Sequence, residues 1–164
     1  TLSSGVEILY ANYESNRIKL GKQLVNNISF YGQLDIKHSL KLSSSVGMRF
    51  DRYSEYEAVI SPRIASMYKF NNYFKLRYSW GLGFRAPSFI ERYIDWNHDQ
   101  YGYRVMGNAD LNPEKSNGST ISLQYDGSKN YTIATTYYLT SFRNLIDSFT
   151  LNPGLLSYAN FDKA

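Results

Sequence analysis

Cysteine is absent from the 164-residue chain, which rules out a disulfide, a zinc–thiolate site and a thiol nucleophile. No apolar run approaches the ~18 residues that a membrane helix needs, and mean hydropathy is −0.44, so a helical membrane protein is excluded. A membrane β-barrel stays open, because strands that alternate apolar and polar residues average out as hydrophilic. Charge of one sign is also in short supply. The net charge is +4 and the basic residues are scattered, whereas a nucleic-acid binder more often carries a basic stripe. Thr1 is not followed by the basic and apolar regions of a signal peptide, so the chain reads as cytoplasmic or as a mature or internal piece of something longer. Tyrosine, by contrast, is abundant at 16 residues, an unusual number for a soluble enzyme of one domain.

Hydrophobicity repeats with a period of two. From Leu40 the even positions read Leu40, Leu42, Ser44, Val46, Met48, Phe50, and the odd ones Lys41, Ser43, Ser45, Gly47, Arg49, Asp51. From Phe74 the even row is Phe74, Leu76, Tyr78, Trp80, Leu82, Phe84, against Lys75, Arg77, Ser79, Gly81, Gly83, Arg85. The even rows 28–36 and 58–68 continue the same pattern. None of the 23 even positions is charged, where the chain's 20% charge predicts about five. In a strand, such rows lie on opposite faces, one oily and one polar.

Tight-turn signals at Asp126-Gly127-Ser128-Lys129, at Lys69-Phe70-Asn71-Asn72 and near Asp35–Ser39 alternate with links at 13–25, 53–57, 85–116 and 149–156. The fold class is therefore all-β: an antiparallel meander of about eight long strands, near 2–12, 26–36, 40–52, 58–69, 73–84, 117–126, 130–147 and 157–164. All the longer links then fall at one end. The one helical signal is a turn at Ser88–Tyr93, with Ser88 as N-cap and Glu91 three residues on. Strands of this length suit a tilted bilayer crossing, and aromatics near their ends (Tyr10, Tyr53, Tyr68, Tyr73, Phe84, Tyr125) fit interfacial girdles. A soluble β-sandwich with an oily core face gives the same alternation.

Gly81-Leu82-Gly83-Phe84-Arg85-Ala86-Pro87-Ser88 closes one strand, and Gly107-Asn108-Ala109-Asp110-Leu111-Asn112-Pro113-Glu114-Lys115-Ser116 opens the next after a long insertion. Together they resemble the barrel of TonB-dependent outer-membrane receptors, with Ala109 and Asn112 as mild departures from the family pattern. Phe142-Arg143-Asn144-Leu145-Ile146-Asp147, Tyr158-Ala159-Asn160, Phe50-Asp51-Arg52-Tyr53 and Ser61-Pro62-Arg63 fit as flanks, so the resemblance runs from about residue 28 to 164. It implies that residues 1–164 are part of a larger transmembrane β-barrel, an internal slice of the C-terminal half without the N-terminal plug. The parent would sit in the outer membrane of a Gram-negative bacterium, in contact with the lipid bilayer. It would bind a scarce nutrient (a ferric siderophore, haem or cobalamin) and import it with energy from the TonB complex, which acts through the plug.

The motif has its own physical sense. Pro87 ends strand pairing, and Arg85 and Glu114 stand at the two feet of the loop where they can pair. Within the loop, which the resemblance makes extracellular, Tyr93, Trp96, His98, Tyr101, Tyr103 and Arg104 offer stacking faces and donors to a bulky ligand; packing of the loop on itself is the alternative. Arg49, Arg63, Lys75, Arg77 and Arg85 form an inward row that would face the lumen and favour anionic groups. Glu91, Asp95, His98 and Asp99 fit no standard metal spacing, so no metal site is expected. No catalytic constellation or cofactor motif emerges, and an enzyme is not expected. Two further readings are a complete eight-stranded barrel acting as an adhesin or anchor, and a soluble β-sandwich binding module.

Overall fold

Eleven strands and one short helix make up the computed structural model, which describes residues 1–19, 21–127 and 131–162. The strands are β1 (Leu2–Glu14), β2 (Lys22–Lys37), β3 (Leu42–Tyr53), β4 (Val59–Lys69), β5 (Phe74–Arg85), β6 (Asp95–His98), β7 (Tyr103–Met106), β8 (Glu114–Asp126), β9 (Thr132–Arg143), β10 (Leu145–Asn152) and β11 (Leu155–Phe161). Helix α1 spans Phe89–Tyr93, and a 3-10 turn at Asp99–Tyr101 joins β6 to β7. Of the expected tight turn at 126–129, Ser128 and Lys129 lie outside the described residues, as do the last two positions of the expected final strand.

Seven long strands form one antiparallel sheet in the order β1-β2-β3-β4-β5-β8-β9. Its registers run without a shift, so the alternation read from the sequence is preserved across the sheet. Ile8, Ile28 and Arg52 line up on one face, as do Leu82 and Asn117, while Glu7, Ser29 and Asp51 line up on the other. Strands of 11 to 16 residues at ~3.3 Å per residue cross a bilayer when tilted ~40°, with overhang.

The oily face has nothing packed on it. Val6, Met48, Ile60, Ile64, Ile133 and Leu139 are all exposed, and among the described residues Leu111 and Ile146 are the only large apolar side chains that are buried. A sandwich would cover this face with a second sheet; the second sheet here does not. It is a four-stranded layer, β10-β11-β7-β6, standing at the end where the long links gather. Nor do β1 and β9 pair with each other, so the seven strands form an open arc and not a small closed barrel.

The expected strand 130–147 is broken at Asn144, whose φ of 55° is the only positive value at a non-glycine residue among the described residues. The break sends β10 off the large sheet and into the second one. Its amide-bearing side chain type tolerates this left-handed geometry better than a β-branched one. Asn144→Val is expected to cost about 1–2 kcal/mol in a chemical-denaturation midpoint, and Asn144→Gly to be neutral or stabilising.

Candidate functional site

The loop between β5 and β8 is held at its feet by one arginine. Arg85 Nε and Nη2 donate to the Glu114 carboxylate at 2.7 Å each, and Nη1 donates to both Glu91 oxygens at 3.0 and 3.1 Å. Glu114 is itself buried and also accepts from the Ile146 backbone N–H at 2.8 Å. The pairing expected at the two feet is therefore present, and it reaches further than expected, tying β5, α1, β8 and β10 together. Glu91 has a second task. Its carboxylate accepts from the Ser88 N–H while its own N–H donates to Ser88 Oγ, the reciprocal capping box read from the sequence.

Gly107 explains the start of the returning motif. A Cβ there would lie 2.5–2.6 Å from the backbone of Arg92 and Tyr93, so only glycine lets the return strand pass against the end of α1. Next to it, the Asn108 side chain donates to the Tyr158 carbonyl, and Asn160 exchanges hydrogen bonds with the backbone of Asn112 while donating to the Asn144 carbonyl. Leu111, between Asn108 and Asn112, and Ile146, two residues after Asn144, are both buried.

Above this base, β6 and β7 pair antiparallel, with Trp96 opposite Val105 and His98 opposite Tyr103. Trp96, His98, Tyr101 and Tyr103 gather there. Ring centroids of Trp96 and His98 are 4.3 Å apart, those of His98 and Tyr101 4.6 Å, and the Tyr103 hydroxyl is 2.9 Å from His98 Nδ1. Arg17, from the link after β1, lies over the Trp96 ring at 4.9 Å. Tyr101 is 70% exposed, which leaves one aromatic face of the cluster open to solvent. Arg104 is on the opposite face of β7 and is paired with Asp95 at 2.6 Å.

Tyr93 stands apart from this group. Its hydroxyl donates to Glu55 at 2.7 Å, and Glu55 also pairs with Arg92. Burial, and then the Glu55 carboxylate, push the Tyr93 phenol up to about 12. Five of the six residues singled out in the loop thus share the β6–β7 hairpin, and the sixth fastens the loop's base to the β3–β4 link. Sequence reasoning missed Arg17 and Glu55 and read Asn160 only as part of a flanking motif; all three join parts far apart in the chain. The acidic residues near His98 are engaged elsewhere: Glu91 with Arg85 and Asp95 with Arg104. Among the described residues no three ligating groups come together to hold a metal.

Strand parity and register put the five cations of the odd rows, Arg49, Arg63, Lys75, Arg77 and Arg85, on the face opposite the oily one, and each has a partner. Arg49 contacts Asp51, Glu7 and Ser29; Lys75 contacts Asp126. Arg63 donates to Gln33, which in turn donates to Asp35, and Arg77 donates to Gln124. At Gly81 a Cβ would sit 3.3 Å from that of Arg63, close enough that a side chain there would crowd the row. Tyr53, expected in an interfacial girdle, stands opposite Asn27 in the row of the polar face and packs on Tyr56 and Phe84.

Comparison with known proteins gives a consistent result. A family described as TonB dependent receptor-like, beta-barrel matches residues 9–164. The iron-regulated outer membrane virulence protein of Vibrio cholerae is 27% identical over 150 residues, covering 88% of this chain and 23% of that protein. Among solved structures, the siderophore receptor PirA from Pseudomonas aeruginosa superposes with a TM-score of 0.84 at 18% identity, over 99% of this chain and 30% of PirA. The hemophore receptor HasR of Serratia marcescens, solved as a double mutant with its hemophore HasA and heme, gives 0.83 at 14% identity, over 97% of this chain and 34% of HasR. These two likenesses speak to the fold. The chain spans about a quarter of the length of the curated relative it matches.

Proposed function

The chain belongs to the TonB-dependent receptor β-barrel family, and we propose that it forms part of the wall and outer loops of a receptor that imports an iron carrier across a Gram-negative outer membrane. The observation that carries this reading is the two-sided sheet. One face is oily and bare, the other carries a hydrogen-bonded row of charges, and such a wall is stable only with lipid on one side and a polar lumen on the other. The links after β1, β3 and β5 and the second sheet gather at a single end, which is the extracellular end in this reading. Cargo would meet the aromatic cluster Trp96, His98, Tyr101 and Tyr103 there, with Arg104 and Tyr93 setting the hairpin's position. The inward cations would face the lumen and favour anionic groups there.

Iron carriers are favoured over cobalamin because the relatives are a siderophore receptor, a hemophore receptor and an iron-regulated protein. Energy would come from the TonB complex acting on a plug that residues 1–164 do not include. The test is uptake of labelled ferric siderophore, haem and cobalamin by iron-starved cells producing the full-length receptor. Uptake of one iron carrier, lost without TonB and lost on deleting 95–106 from a receptor that still inserts, is the expected result. Uptake of none, or uptake indifferent to that deletion, contradicts the proposal.

A further inference from the structure

The β6–β7 hairpin that carries Trp96, His98 and Tyr103 is too short to hold itself. Its strands have four residues each, and an isolated two-stranded hairpin is marginal in water. Support comes from the next hairpin in the chain. β10 and β11 pair antiparallel from Leu145 opposite Phe161 to Asn152 opposite Leu155. Their base is tied to the wall: the Ile146 N–H donates to Glu114, and Asn160 donates to the Asn112 and Asn144 carbonyls. β11 then pairs in parallel with β7, Leu155 beside Arg104 and Leu156 beside Val105. Trp96, Val105, Leu156 and Thr150 stand in one row across the four strands, so the face that bears the indole continues onto the rooted hairpin.

The two hairpins meet most closely at two glycines. Pro153 and Gly154 make the turn between β10 and β11 in the order that a type II turn requires, and Gly154 has a φ of 79°. Its carbonyl accepts from the Arg104 N–H at 2.7 Å. A Cβ at Gly154 would lie 2.7 Å from the Gly102 carbonyl oxygen, so any side chain there forces the hairpins apart. Gly102, with a φ of 73°, bends the chain between Tyr101 and Tyr103, both members of the cluster. Gly21 supplies the contrast. Its φ is 72°, but a Cβ there would meet nothing within 4 Å.

We propose that the Pro153-Gly154 tip is a positioning element for carrier binding: docked against Gly102, it fixes the aromatic cluster in its binding arrangement before the carrier arrives. Gly154 is a positioning residue, acting on the cluster through β7 and not by touching the carrier. A carrier that meets a loop already ordered does not bear the cost of ordering it, so loss of this contact shows in affinity. The inference rests on the reading that the cluster meets an iron carrier.

The test titrates the purified full-length receptor with haem, a ferric catecholate and a ferric hydroxamate, and follows uptake of the accepted one by cells. Gly154→Asn keeps a residue type that tolerates positive φ but adds the Cβ, and it weakens binding of that carrier about tenfold. Half-saturation of uptake rises in proportion while the maximal rate stays, and amides of 95–106 exchange faster in the carrier-free receptor. Gly21→Asn, with the same backbone geometry and open space around it, stays within about twofold of the wild type. The V105C/L156C pair, on strands ~4.8 Å apart, closes a disulfide between β7 and β11. Closing it leaves binding intact, and in the Gly154→Asn background it restores the lost affinity. Equal effects of the two asparagine variants, unchanged exchange at 95–106, a fall in maximal rate alone, or no rescue by the disulfide overturns the inference. So does binding blocked by the closed disulfide, which would mark hairpins that must part to admit the carrier. A wild type that binds a carrier no better than Gly154→Asn does fails this inference alone; a wild type that binds none of the three fails the carrier reading with it.

Discussion

Arg49→Ala is expected to destabilise the folded wall by about 3 kcal/mol, the largest effect of any single change on the lumen side. The reason is Asp51, which is 1% exposed and therefore cannot turn to water once its partner is gone. Arg49 Nε reaches both Asp51 oxygens at 3.0 Å, while Ser29 Oγ donates to one of them at 2.6 Å and accepts from Arg49 Nη2 at 2.9 Å. Asn27 adds a bond to Ser29 from the same row. Removing the guanidinium leaves a buried carboxylate with little more than one hydroxyl. Arg49 itself is 37% exposed, which keeps the cost toward the low end for a broken buried pair. Arg49→Lys keeps the charge but not the fork, so it should fall between alanine and the wild type. The decisive comparison is the R49A/D51N double variant. Removing both charges should recover more than half of the loss in a denaturation midpoint of the full-length receptor. Losses that simply add would mean that the two residues are not coupled.

Arg85→Ala should release the whole β5–β8 loop while leaving the sheet intact. Glu114 is buried and loses two charge-assisted bonds of 2.7 Å, and Glu91 loses its link to the strand end. Arg85 is 47% exposed, so the cost is discounted to about 2–3 kcal/mol, concentrated at the loop's feet. The readout is local. Amide exchange should accelerate at Ile146, whose N–H donates to Glu114, and along α1, and protease cleavage should appear within 89–112. Amides in the centre of β2 and β3 should keep their protection. Exchange rising uniformly across the sheet would show that Arg85 supports the wall and not the loop.

The wall was legible in the sequence because a strand with one face in lipid and one in a polar lumen must alternate. Each row of Phe74–Arg85 states its face residue by residue, and unbroken registers carry that information across seven strands. The capping box at Ser88 and Glu91 was legible for a similar reason, since its two hydrogen bonds close within four residues. Asn144 was not, because Phe142 and Leu145 keep an apolar pattern on either side of a left-handed residue and hide the break. The β6–β7 hairpin was also hidden. Its strands have four residues each and mix aromatic and charged side chains, so neither shows a period. Least legible were the contacts between links: Arg17 on Trp96, Glu55 with Tyr93 and Arg92, and Asn160 with Asn112. These depend on which loop ends meet in space, and that follows from the arc of the sheet and not from any local pattern. The loop aromatics were found as residue types, but not their division into a hairpin cluster and a basal tyrosine.

Residues 1–164 contain no cysteine, so single substitutions among them, in a receptor with any cysteine elsewhere replaced, report which side of the membrane each end of the sheet occupies. Tyr101→Cys and Ser39→Cys, made in the full-length receptor, would be treated on intact cells with a membrane-impermeant maleimide. Tyr101 is exposed at the tip of the β6–β7 hairpin, and Ser39 lies in the tight turn between β2 and β3. The expected result is labelling at 101 from outside, reduced when the iron carrier is present, with no labelling at 39 until the outer membrane is breached. Labelling at 39 on intact cells with position 101 silent would contradict the account.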